Sequence, residues 1–243
     1  MAGHSHWANI ERSKSKVDAR KGKVFSKWAK LIMAAASTGI PDPDANLRLR
    51  YAIERARADN MPKDSIERAI KKGAGELDGA APEEVMYEAY APGGVALVIE
   101  AITDNRARTA PNLRAILTRR GGTLANAGAV AWMFKKKAMF ALPRAGLDEN
   151  AVIEFALDNG AQDVSTEEPQ IFGVEADPAD FLGLKAAFEK KGWTLLEAAV
   201  RYVPDNTVPA GAQEAQKLQE LLDAVEDDED VQAVHHNADL SAA

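Results

Sequence analysis

Cysteine is absent from this 243-residue chain, so no disulfide framework, thiol nucleophile or thiolate-bound metal can form, and a reducing compartment suits it. Histidine is scarce. The four, His4, His6, His235 and His236, fall in two pairs, and neither pair has a carboxylate at metalloprotease spacing, so no metal site is expected. No apolar run approaches the roughly 18 residues of a membrane span, and the N-terminus lacks the apolar core of a signal peptide. Nucleophile elbow, Walker motif and dinucleotide fingerprint are all missing, and the carboxylates are scattered, so no catalytic residue and no cofactor are nominated. The expectation is a cytoplasmic protein that is not an enzyme.

Charge is plentiful and unevenly placed. Over residues 1–30 eight Lys/Arg (Arg12, Lys14, Lys16, Arg20, Lys21, Lys23, Lys27 and Lys30) face two acids, Glu11 and Asp18, in a chain whose net charge is -7. Residues 1–72 balance at +8 and the remainder at -15, a basic head on an acidic body. Such a molecule meets a polyanion with one end and is repelled along the rest. His4, His6 and Trp7 lie among the first of these cations, and a ring that can stack on a base has little use in a purely solvating tail.

From Lys23 to Ser37 the residues Val24, Phe25, Trp28, Leu31, Ile32 and Ala35 recur at helical spacing, and Lys23, Lys27 and Lys30 flank that stripe. An exposed row of ammonium groups is expected there, one whose reversal to Glu leaves the fold intact. The prolines at 41 and 43 break the helix, Asp44 is placed as the next N-cap, and a second helix ends near Asn60. A third follows Met61-Pro62, with Gly73 read as its C′ residue. These elements make a helical bundle with a basic arm, residues 1–79.

Beyond the punctuation of 75–82 the period becomes alternating. Val85 to Tyr90 and Val95 to Glu100 flank Pro92-Gly93-Gly94 as a hairpin. A helix with Pro111 in its first turn runs to Arg120, carrying part of an arginine cluster formed by Arg106, Arg108, Arg114, Arg119 and Arg120. That cluster is read either as local ion pairing, with Asp104 for instance, or as a clamp on a nucleic-acid backbone. Residues 130–134 look strand-like and Lys135 to Lys137 like a junction. From 138 to 203 the order is strand, helix, strand, strand, helix, strand, the ferredoxin-like βαββαβ pattern, with five basic residues against twelve acids. A final helix from Ala212 to Val225 and a strand from Val231 cannot bury a core alone, so they are expected to complete the sheet of 83–134. The fold class is therefore α+β and multidomain: a helical head (1–79), a middle α+β domain (80–137 with 204–243) and a ferredoxin-like domain (138–203) inserted into it. The acidic run Glu226 to Asp230 is read as a solvated turn.

Three blocks in this order, GHSHWANI with the basic helix, ANLRLRYAIERARADNMPKDSIERAIKKG, and YEAYAPGGVALVIEAITDNRARTAPNLRAILTRRGG, closely resemble the YebC/PmpR family, which includes the mitochondrial translational activator of cytochrome c oxidase. The resemblance implies the same three-domain arrangement and a regulator of gene expression that binds nucleic acid. The nucleic-acid contacts are assigned to His4, His6, Trp7, Arg12, Lys14, Lys16, Arg20, Lys21, Lys23, Lys27, Lys30, Arg106 and Arg108. Two mechanisms fit: a ribosome-associated translation factor that binds ribosomal RNA and eases elongation, which is favoured, and a DNA-binding transcriptional regulator, the family's usual label. A non-catalytic protein-interaction scaffold is the remaining alternative. No helix carries a clear set of Asn, Gln and Arg for reading bases in a major groove.

Overall fold

A computed structural model of the chain describes residues 21–240, with side chains from Lys23 onward. Its internal contacts gather into two compact units. One comprises residues 21–130 together with Gln213–Val234; the other comprises Ala131–Ala212 and the residues from His235.

In the first unit, helices α1 (Lys21–Thr38), α2 (Leu47–Ala58) and α3 (Lys63–Gly73) bury Ile32, Ala35, Leu49, Ala52, Ile53, Ala56, Ile66 and Ala69 in one core. The cap of α2 is Asn46, not Asp44. The Asn46 side chain accepts the Leu49 N–H at 3.0 Å and donates to the carbonyls of Ala35 and Ile40 at 2.9 Å, satisfying an α2 end and the α1–α2 turn at once. Asp44, two residues early, instead faces Arg50. Gly73 has a different reason from the one expected. It lies inside α3, and a Cβ there would stand 2.4 Å from the Met33 carbonyl oxygen and 2.8 Å from the Ala36 Cβ, so it allows α1 and α3 to approach; the left-handed residue is Gly75, at φ 78°. Gly73→Ala should therefore lower stability by about 3 kcal/mol, since backbone cannot yield as a side-chain tip can. Urea unfolding measures it, and a loss under 1 kcal/mol would show that the two helices part easily.

Strands β1 (Glu83–Tyr90) and β2 (Ala96–Thr103) pair antiparallel with Tyr90 opposite Ala96, closing the hairpin through the 3-10 turn Pro92–Gly94. Helix α4 (Arg106–Arg119) begins five residues before Pro111 because Asn105 caps it, accepting the Arg108 N–H at 3.0 Å. The short β3 (Thr123–Leu124) pairs with β1.

In the second unit β4 (Phe134–Pro143), α5 (Glu149–Asp158), β5 (Ala161–Ser165), β6 (Ile171–Ala176), α6 (Phe181–Lys191) and β7 (Glu197–Pro204) form a sheet in the order β5-β6-β4-β7, every pair antiparallel. That is the ferredoxin-like arrangement expected of the sequence. Phe140 stacks on Phe181 at 5.3 Å and meets Phe188 edge-on at 5.6 Å, so α6 lies on the face of β4 that carries Phe140. Residues 135–137 are not a junction: Lys135, Lys136 and Lys137 belong to β4 and pair with Val203, Tyr202 and Arg201. Of the 130–134 stretch only Phe134 is in the strand; Ala131–Met133 is a 3-10 turn leading into it. Strand β8 (Val208–Pro209) pairs parallel with β10 (Ala238–Asp239).

Between β8 and β10 in the chain, α7 (Ala212–Glu226) and β9 (Val231–His236) return to the first sheet, whose order is β3-β1-β2-β9. The C-terminal strand thus completes the earlier sheet, as its inability to bury a core alone predicts.

Candidate nucleic-acid interface

Of the residues assigned to nucleic acid, His4, His6, Trp7, Arg12, Lys14, Lys16, Arg20 and the Lys21 side chain lie outside the described residues. The remaining five, Lys23, Lys27, Lys30, Arg106 and Arg108, all hold partners within the chain.

Helical spacing does place Lys23, Lys27 and Lys30 on one flank of α1. That flank faces the end of α7 and the acidic turn after it, where the carbonyls of a helix C-terminus and a run of carboxylates converge. Lys27 Nζ donates to the Glu226 carbonyl at 2.8 Å, Lys23 Nζ to the Asp227 carbonyl at 3.3 Å, and Lys30 Nζ to the Glu229 carbonyl at 2.9 Å and to Asp230 Oδ1 at 2.5 Å. The run 226–230 is therefore not a solvated turn. Asp230 is 2% exposed. Its Oδ2 accepts from Thr109 Oγ1 at 2.6 Å and Thr103 Oγ1 at 3.3 Å, Arg108 reaches both carboxylate oxygens at 3.1 Å, and its carbonyl accepts the Ile102 N–H at 2.8 Å. One carboxylate thereby joins α1, β2, α4 and the start of β9. Burial pushes the Asp230 carboxyl up, but the bonds from Lys30, Thr109 and Arg108 outweigh it and hold the group below its ordinary value.

Arg106 and Arg108 follow the ion-pairing reading of their cluster. Arg106 makes a two-pronged pair with Glu83, at 2.5 and 2.6 Å, and Arg108 bonds Asp104 at 3.0 Å as well as Asp230. The structure thus separates the arginine cluster into two groups. Arg114, Arg119 and Arg120, farther along or just past α4, are exposed, and their side chains make no hydrogen bond, ion pair or ring contact among the described residues. The same holds in the helical head for Arg57, Arg68 and Lys71. These six were not among the assigned residues, because composition marks a cation and does not reveal whether a carboxylate distant in sequence already holds it.

The histidines at the other end of the chain have structural partners. His235 meets the Tyr202 ring edge-on at 5.5 Å, and His236 Nδ1 accepts the Ala238 N–H at 3.2 Å. Burial, with His235 adding to it, lowers His236 to about 4, so its ring is neutral at physiological pH. Among the described residues no group of three His, Asp or Glu is placed to hold a metal ion, and no helix is long and apolar enough to cross a membrane.

Comparison with known proteins places both regions in one lineage. Residues 5–76 match the model of the TACO1/YebC protein N-terminal domain, and residues 82–238 match the model of the TACO1/YebC second and third domain. A probable transcriptional regulatory protein of Solidesulfovibrio magneticus is 48% identical over 240 residues, 99% of this chain and 98% of its own. One of Caldanaerobacter subterraneus subsp. tengcongensis is 45% identical over 241 residues, 99% of both chains. The crystal structure of a conserved hypothetical protein from Aquifex aeolicus superposes with a TM-score of 0.81 at 42% identity, covering 92% of each chain.

Proposed function

The chain belongs to the TACO1/YebC family, and from that premise we propose that it is a nucleic-acid-binding regulator of gene expression that acts on the ribosome through ribosomal RNA. That these relatives are named probable transcriptional regulatory proteins supports a regulator. The preference for RNA rests on one observation. In the first unit the exposed cations whose side chains have no partner among the described residues include Arg57, Arg68, Lys71, Arg114, Arg119, Arg120 and Lys217, distributed over α2, α3, α4 and the residue after it, and α7, while the single row along one helix is bonded to the 226–230 turn. Reading duplex DNA calls for one helix presenting Arg, Asn and Gln along an exposed face. Irregular RNA is met by cations spread over a contoured surface.

The expected result is co-sedimentation with ribosomes at low salt. If about five phosphates are neutralised, raising salt from about 50 to 200 mM weakens binding a hundred- to a thousandfold through lost counterion release. Occupancy of discrete promoters, with specific DNA binding at least about a thousandfold tighter than non-specific and no protein in ribosome fractions, would select the transcriptional mechanism instead.

A further inference from the structure

We propose that the end of the first sheet where the Pro92–Gly94 turn, residues 119–122 and the 125–130 loop converge is a binding site for an unpaired loop of RNA, an inference that rests on the RNA reading above. Tyr90, the last residue of β1, ties the three segments together. Its carbonyl oxygen stands 2.9 Å from where a Gly122 Cβ would be, and its hydroxyl donates to the Ala129 carbonyl at 3.4 Å. A Gly121 Cβ would lie 3.5 Å from Pro92 Cγ. Glu88, on the same strand and buried, accepts the N–H groups of Gly128 and Val130 at 2.6 Å and so fixes the third loop.

What these segments present is bare backbone, cations and a ring. Gly93, Gly94 and Gly128 have φ of 79°, 76° and 84°, and beyond the adjacent residues no heavy atom lies within 4 Å of where a Cβ on any of them would be. A ligand can therefore approach the main chain as it could not over side chains. Arg119 and Arg120 border the same end, exposed and without partners among the described residues. Tyr90 is 39% exposed. Guanidinium forks take phosphate oxygens, and an aromatic face takes an unstacked base. A paired helix keeps its bases stacked and cannot offer one to Tyr90, so the combination selects looped over paired RNA. On their other flank the arginines share a groove with Glu220, Asp223 and Asp227, with which they form no ion pair. Those carboxylates repel phosphate, so the anion is directed to the glycine side.

The test compares a hairpin RNA with an unpaired loop against its fully paired counterpart, by fluorescence anisotropy on the full chain. R119A/R120A and Y90A should each weaken loop binding by about tenfold or more, whereas Y90F, which keeps the ring, stays within about threefold. The unfolding midpoint should not change in R119A/R120A, and its binding of paired RNA should fall by less than its binding of the loop. Equal losses for looped and paired RNA, or loop binding by R119A/R120A as tight as wild type, overturn the site while leaving the RNA reading standing. Wild-type protein that binds neither RNA overturns both. A glutamate-rich peptide that wild type binds more tightly than the loop would likewise remove the proposal.

Discussion

Replacing Asp230 by alanine should destabilise the first unit by about 3–5 kcal/mol, because removing one member of a buried ion-pair network leaves its partners desolvated and uncompensated. The size follows from burial. The Asp230 side chain is 3% exposed and that of Lys30 15%, so solvent does not take over the lost interactions as it does at a surface pair. Thr103 and Thr109 lose their shared acceptor in the same step. Asp230→Asn should recover part of the loss, since an amide oxygen still accepts from Thr109 while the charge is gone. Urea unfolding followed by far-UV circular dichroism reads the difference. A loss below about 1 kcal/mol would mean that apolar packing, not this network, joins α1 to α4 and β9. The pH dependence has a fixed sign. Because the folded-state value lies below the ordinary one, the stability from Asp230 is present above the ordinary carboxylate range and is lost as pH falls through the folded value.

The second large effect reverses an expectation drawn from the sequence. Charge reversal of Lys23, Lys27 and Lys30 to Glu was expected to spare the fold, and on an exposed flank it would. Here Lys30→Glu sets a second carboxylate against buried Asp230, replacing attraction by repulsion where water is excluded. The triple variant should therefore lose about 4 kcal/mol or more and populate unfolded protein at neutral pH. Lys23→Glu with Lys27→Glu, leaving Lys30 in place, should lose no more than about 1–2 kcal/mol, since Lys23 and its partner Asp227 are solvent-accessible. Unfolding midpoints of the double and triple variants that coincide would contradict this division. The double variant is accordingly the better probe of RNA binding, because loss of binding in the triple variant would report unfolding.

What the sequence made legible was whatever is decided locally. The ferredoxin-like order follows from alternating strands, two amphipathic helices and glycines just beyond them, of which Gly192 adopts the left-handed cap at φ 80°. The Pro92–Gly94 hairpin is of the same kind. Asn46 was missed in favour of Asp44 because both are good caps two residues apart, and only the carbonyls of Ala35 and Ile40 distinguish them. Gly73 looked like a helix stop from its neighbours, yet its reason is a backbone forty residues earlier. The acidic run was illegible for a related cause. Nothing near Asp230 marks it as the buried member of five consecutive acids, since the groups that bury and bond it come from positions 30, 103, 108 and 109. Helical periodicity states which residues share a flank of α1 but not what that flank meets.

The position of Asp230 in the chain also sets an order in time. Thr103 and Asp230 are separated by 127 residues, and Lys30 and Asp230 by 200, so the last strand of the first sheet and the carboxylate that joins its helices emerge from the ribosome after residues 131–212 of the second unit have been made. Contacts of such sequence separation form late and slowly. Until then the nascent chain holds α1, β2 and α4 with their lysine, threonines and arginine turned toward an acceptor that has not yet been synthesised, and the edge of β2 that β9 will cover is open to other strands. Maturation of this unit thus waits for Asp230 and the strand after it, and a chain truncated before residue 230 lacks the piece that closes it.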